Sequence, residues 1–149
     1  MKTNQLIFFF SLLFLFNSCD NENEQMGMDF LRNEWKVQTV TNEGKRFKAP
    51  SDKTFREEAY ILKFVEDSYF RMATSVNYAG GEYQIASEGH IIISHYGEET
   101  EIGNTLEYQK NFDEQLLSVF GGAMSYSYTK NKLIFRGEEN KEIVFVKQK

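Results

Sequence analysis

Apolar and polar residues alternate along most of the chain with a period of two, which is typical of β-strands that bury one face. The clearest stretches are residues 35–40, 60–64, 124–129 and 132–135, with turn-forming residues between them. Because helical patterns do not separate most of these short runs, the chain is expected to form an antiparallel sheet of about seven to eight strands, curled or closed into a partial barrel.

One segment has a different period and predicts a helix over about residues 105–120. Apolar residues such as Phe112 and Leu116 recur there at steps of three and four, while Asp113 and other polar residues are assigned to the opposite face. The glycine pair at 121–122 supplies a C-terminal stop. A lone helix of this length is marginal in water, so its apolar face is expected to pack on the sheet. The predicted fold class is therefore α+β.

The start of the chain has the features of an export signal. Lys2 precedes an uncharged run at residues 6–16, which has the length of a signal-peptide core and is too short to cross a bilayer core of roughly 30 Å. Ser18 stands directly before Cys19, the only cysteine in the chain. This arrangement resembles the bacterial lipobox, which implies that residues 1–18 are removed and that Cys19 carries a diacylglycerol. The membrane is then a partner through the N-terminal lipid.

A second interpretation makes Cys19 a free thiol behind a transmembrane anchor. Asn17 and the polar residues from Asp20 onward end the apolar run well short of the about twenty residues that a membrane helix needs. Lipid attachment also accounts for an exported chain with one cysteine, which cannot form an internal disulfide. Two or three acyl chains, at about 0.8 kcal/mol for each buried methylene, give stable anchoring.

Residues 19–28 are expected to be the lipidated cysteine and a flexible acidic tether, because this stretch has too little apolar surface to offset its ordering entropy. Its acidic residues are similar to the export signal of surface lipoproteins in one Gram-negative phylum. Residues 29–149 form one domain's length of chain. The expected location is the envelope of a Gram-negative bacterium, at the outer membrane, on either the periplasmic or the surface face.

Charge and histidine spacing exclude several function classes. Loss of Lys2 with the signal lowers the formal net charge below its value of −5, so the domain lacks a basic footprint for nucleic acid. His90 and His95 are five positions apart on a predicted strand and face opposite sides, so they are not expected to share a metal. The acidic residues from Glu98 to Glu101 lack the register of a calcium loop.

The sequence offers no catalytic residues and no cofactor site. A Gly-x-Ser-x-Gly elbow is missing, and the glycine pair at 121–122 lacks the lysine of a phosphate-binding loop. Carboxylate pairs of the glycosidase type stay open, because sequence alone does not show their separation. The domain is therefore expected not to be an enzyme, with a hydrolase as the alternative.

The aromatic residues allow two interpretations. Tyr126 and Tyr128 share one strand face with Met124, and Tyr83 lies on a neighbouring segment. They are either core residues with hydrated hydroxyl groups or the wall of a shallow cleft for an apolar ligand or a protein partner. Under the second interpretation, Tyr83, Tyr126 and Tyr128 form an exposed contact surface.

The order of these elements resembles the META/HslJ-like domain of small bacterial envelope lipoproteins. Asn77, Gly81 and Tyr83 match an Asn-x-x-x-Gly-x-Tyr signature, although the Gly-Cys that precedes it in the family is missing. Residues 100–104 are similar to the family's Thr-x-Met-Ala-Cys, again without the cysteine. The resemblance implies a location in the envelope and a link to stress or antibiotic tolerance, and it supplies no active-site residues.

A second resemblance is to lipocalin-like exported lipoproteins, which share the early strand with Trp35 and the Gly-x-Tyr-x-Ile hairpin. Three hypotheses follow: an envelope lipoprotein that binds a protein or assists assembly, a small carrier of an apolar ligand, and a hydrolase or hydrolase inhibitor. A carrier needs a barrel with an internal cavity. The many large aromatic side chains favour a packed interior, and therefore the first hypothesis.

Overall fold

The computed structural model describes residues 27–51, 58–66, 68–98 and 106–149, which contain nine strands, an α-helix and a 3-10 helix. The 3-10 helix is Asp29–Arg32. The other elements, in chain order, are β1 (Trp35–Asn42), β2 (Lys45–Lys48), β3 (Ile61–Glu66), β4 (Tyr69–Ala73), β5 (Tyr78–Ser87), β6 (His90–Glu98), α1 (Glu107–Val119), β7 (Gly122–Tyr128), β8 (Lys132–Arg136) and β9 (Glu142–Lys147).

Eight of the strands close into an antiparallel barrel. Strands β3 to β9 pair in chain order, and β1 completes the ring between β9 and β3. The extra strand, β2, pairs with residues 39–42 of β1 along the same edge that pairs with β3 at residues 35–36. The predicted α+β class and the curled sheet are confirmed, and the closure is complete rather than partial.

A β-bulge in β1 lets three of its large side chains face the interior. The register against β9 shifts between Val37 and Thr39, so Trp35, Val37 and Val40 are all buried although their spacing breaks the period of two. The Trp35 indole donates to the carbonyl of Phe30 at 2.8 Å. This bond fixes the 3-10 helix to the barrel.

Helix α1 covers one end of the barrel, since it connects the end of β6 to the start of β7. Phe112, Leu116 and Val119 are buried, which confirms the predicted apolar face. The last residue of β1, Asn42, contacts α1 through Gln115. Because the 3-10 helix comes before the first residue of β1, it lies at the opposite end of the barrel. Phe30 inserts from that end and contacts Phe135 with 6.5 Å between ring centroids. The helix ends at Val119, and Phe120 follows in an extended conformation. Of the two glycines after it, Gly122 has a φ of 74° and begins β7.

Large side chains fill the interior between the two ends. The Phe120 ring stacks on Phe135 at a centroid separation of 6.0 Å and meets the edge of Phe70 at 5.2 Å. Phe135 in turn packs against Phe145 at 5.4 Å. The buried aromatic and aliphatic residues form a single cluster that runs from Phe30 to the helix. The barrel is thus stabilised by a continuous packed core.

Candidate functional site

The interpretation of the sequence in which three tyrosines form an exposed contact surface is wrong, because all three are buried. Tyr83, Tyr126 and Tyr128 have 9% or less of their surface exposed. They lie on the inward face of their strands, and the Phe30 ring packs on Tyr126 and Tyr128 at 4.8 and 5.6 Å. Burial raises the pKa of the Tyr126 hydroxyl. The alternative interpretation, that they are core residues, is confirmed.

Several other sequence predictions concern residues outside the described ranges. These are Cys19, the tether up to Met26, and the acidic loop residues Glu99 and Glu101. The same holds for the side chain of His95. His90 is described, and it lies exposed at the turn between β5 and β6.

The surroundings of His90 do not form a nucleophile–base pair. Its Nδ1 is 3.1 Å from the Ser87 hydroxyl and 3.3 Å from the carbonyl of Glu88. Because a carbonyl oxygen only accepts hydrogen bonds, it favours the tautomer with a proton on Nδ1. In that tautomer the Ser87 hydroxyl accepts a hydrogen bond and is not activated for attack. The contact is best explained as a hairpin-turn interaction.

A buried polar cluster joins α1 to the turn between β4 and β5. The Ser75 hydroxyl donates to the Asp113 carboxylate, and the Ser75 N–H lies 3.3 and 3.4 Å from its two oxygens. Asp113 is buried, which contradicts its assignment to the solvent face of the helix. Burial, followed by the charge of Asp113, raises the pKa of the nearby Tyr60 hydroxyl far above its ordinary value.

Tyr60 has an unusual backbone conformation at this point. Its φ of 66° lies in the left-handed region, which is rare for a bulky residue. Its N–H donates to Ala73 and its carbonyl accepts from Val37, both at 2.8 Å, while its ring meets the edge of Phe112 at 5.0 Å. These contacts tie the barrel wall to the helix.

A groove crosses the outer wall of the barrel over β5 to β8. It is lined by residues 86–87, 90–92, 123–125 and 136–138 and has a volume of about 540 Å³. The groove, here called the wall groove, forms because Ala123, Ser125 and Gly137 have small side chains or none. Ile92 projects from its side with 37% of its surface exposed.

The rim of the wall groove is polar and held in place. The Arg136 guanidinium donates to the Ser127 hydroxyl at 3.0 Å and pairs with Glu142 at 3.4 Å. An apolar centre with a polar rim is the usual anatomy of a protein–protein contact surface. The alternation of apolar and polar residues does not reveal such a groove, because the groove depends on small residues of β7 and of the β8–β9 turn becoming neighbours.

A second groove lies at the barrel end that carries the 3-10 helix. It is lined by residues 28–29, 31–32, 64–65 and Tyr83, has a volume of about 660 Å³, and is here called the end groove. Phe64 packs edge-on against Tyr83 at 4.9 Å. Tyr83 is therefore the one tyrosine of the predicted surface that lines either groove.

The described part of the chain contains neither a membrane-spanning helix nor a cluster of metal ligands. None of its helices combines the length and the apolar character needed to cross a bilayer. Its histidine, aspartate and glutamate side chains nowhere gather in a group of three or more that could hold a metal ion.

Comparison with known proteins identifies the fold and nothing further. No protein-family model and no curated protein matches the chain. It is similar to the NMR structure of a protein from Burkholderia xenovorans, with a TM-score of 0.61, 12% identity, and coverage of 78% of this chain and 82% of that one. A second NMR structure has a TM-score of 0.54 at 15% identity and covers 76% and 88% of the two chains.

Proposed function

We propose that this chain is an exported lipoprotein, anchored to the bacterial envelope through Cys19, whose barrel is not an enzyme and binds an envelope protein at the wall groove. The anchor is supported by the sequence alone: a short uncharged run, Ser18 directly before the only cysteine, and an acidic stretch after it. A role in envelope assembly or stress follows from the resemblance to META/HslJ-like lipoproteins.

The packed interior supports a function performed at the outer surface. A carrier in an eight-stranded barrel needs space inside the barrel, whereas here Phe70, Phe120 and Phe135 meet across the interior. The helix covers one opening and Phe30 covers the other. A lipocalin-like carrier would have to expel several of these rings to admit a ligand, which argues against the carrier hypothesis.

The wall groove is the observation that carries the binding proposal. It combines the exposed Ile92 with a depression of small residues and a fixed arginine on its rim. Large side chains of a partner fit such a depression, and arginine is enriched among the residues that dominate binding energy. Hydrolase chemistry finds less support, because the groove's serine and histidine do not form an activated pair.

Photo-crosslinking in living cells tests this proposal. A photoreactive phenylalanine analogue at Ile92 should give a conjugate of one defined mass in the envelope. The same analogue at Gln38 should not give it, since Gln38 is exposed on β1, four strands away around the barrel. Ala123→Arg fills the groove and should abolish the conjugate, while Gln38→Arg should leave it unchanged. Equal conjugates at both positions, or none at Ile92, would refute the proposal.

A further inference from the structure

The end groove holds two of the most exposed large apolar side chains among the described residues. Met28 has 60% and Val65 has 49% of its surface exposed, and both line this groove with Leu31. We propose that the end groove docks on the phospholipid bilayer that holds the lipid anchor, so that the barrel stands on the membrane by this end. This inference rests on the proposed lipidation of Cys19.

The apolar side chains are held on a rigid support. The buried ring of Phe30 and the hydrogen bond from the Trp35 indole fix the 3-10 helix against the barrel. Phe30 also contacts Phe64 edge-on at 5.4 Å, and Phe64 neighbours Val65 on β3. Met28 and Val65 are therefore presented together, and little conformational freedom remains to be lost on contact with the bilayer.

The described part of the chain begins at Gly27, beside this groove and eight residues after the proposed anchor. A Cβ atom at Gly27 would lie 3.2 Å from the Tyr128 hydroxyl, so the chain passes closely over the barrel end just before Met28. The residues from Cys19 to Met28 span at most roughly 30 Å when extended. A linker of this length keeps the attached surface at an effective concentration of the order of millimolar. A modest apolar patch is then sufficient for docking.

Both basic and acidic side chains surround the end groove, which is compatible with contact at the membrane–water interface. Arg32 lines the groove, and Lys130 and Lys132 border the β7–β8 turn at the same end of the barrel. Long basic side chains place their charge at the headgroups while their stems cover apolar surface. Asp29 also lines the groove, and Glu34 follows the 3-10 helix, so both limit the attraction to anionic lipid. The contact is therefore expected to depend mainly on apolar insertion.

Depth-dependent fluorescence on the full-length chain tests the docking. Val65→Cys protein, purified from the membranes of a Gram-negative host, is labelled with a polarity-sensitive dye. It is then reconstituted in vesicles of phosphatidylethanolamine and phosphatidylglycerol that carry a spin-labelled quencher lipid. Ile92→Cys is the matched control, because Ile92 is also an exposed apolar residue but lies in the wall groove. Because an acylated Cys19 has no free thiol, each variant should take up one dye.

The proposal predicts a blue shift and loss of emission for the dye at Val65 and neither change for the dye at Ile92. One dye per chain with an unshifted Val65 emission would overturn the docking alone and would favour a protein partner at the end groove. Equal quenching at both positions would also overturn it, because the barrel would then lack the proposed orientation. Two dyes per chain without vesicle binding would show that Cys19 is not acylated, which removes the anchor and the docking together.

Discussion

Truncation of Leu116 measures how much helix α1 contributes to the stability of the barrel. Leu116 is fully buried on the face of α1 that covers the barrel end. Leu116→Ala removes three carbon atoms, which at about 0.8 kcal/mol each gives a transfer term of about 2.4 kcal/mol. Aromatic neighbours such as Phe112 and Phe120 cannot collapse fully into the space, so a cavity term of about 1 to 2 kcal/mol is added. The expected loss is therefore about 3.5 to 4.5 kcal/mol.

The adjacent residue provides a matched control on the same helix. Leu117 is only partly buried, so Leu117→Ala makes the same chemical change with a smaller expected loss of about 1 kcal/mol. Both losses are measured by urea unfolding of the chain that lacks residues 1–19, with circular dichroism as the signal. The comparison requires that the free energy of unfolding depend equally steeply on urea concentration in both variants. A loss below about 1 kcal/mol for Leu116→Ala, or equal losses for the two variants, would show that α1 does not cap the core.

Three further predictions concern the buried polar cluster and the anchor. Asp113→Ala removes the buried carboxylate that accepts from the Ser75 N–H and hydroxyl, and it should lower the free energy of unfolding by about 2 to 3 kcal/mol. The exposed neighbour Glu114→Ala should change it by less than about 0.5 kcal/mol, and equal changes would contradict the role of Asp113. The raised pKa of Tyr60 means that the folded state keeps a proton that the unfolded state loses above about pH 10, so stability is full below that pH and falls above it. Urea melts should therefore show that, by about pH 11, the free energy of unfolding has fallen by about 1 kcal/mol less in Tyr60→Phe than in the unaltered chain. Equal falls in the two proteins would contradict the raised pKa of Tyr60. In the Cys19→Ala variant, the signal should stay uncut and the chain should no longer partition into the detergent phase as a lipoprotein does. A variant that stays membrane-bound at the processed size would refute the anchor.

Alternation predicted the barrel strands because each buries one face, and the pattern depends only on local sequence. The same logic missed β2, since Lys45, Arg46 and Lys48 leave Phe47 as its single apolar residue. Strand β2 forms through the tight turn at Glu43 and Gly44, both of which have positive φ values, and through pairing with β1. Tertiary pairing thus decides the state of this strand.

Asp113 shows why the candidate sites were harder to predict than the fold. On the helix it lies next to Phe112, within about 100° of the apolar stripe, and its charge suggested a solvent face. Its burial depends on Ser75, which is distant in sequence and is brought near by the β4–β5 turn. The prediction of an exposed tyrosine surface was wrong for a related reason. A period of two shows which residues share a strand face, but it does not show which face lies inside the barrel.

The native mass spectrum of the protein, released gently from the bacterial envelope, tests the central claim most directly. The proposed function predicts the mass of residues 19–149 plus a diacylglycerol and any further acyl chain on Cys19, with no retained small molecule. A chain that still contains residues 1–18 would contradict the anchor. A stoichiometric apolar ligand of fixed mass would contradict the packed, surface-acting barrel and would favour a carrier.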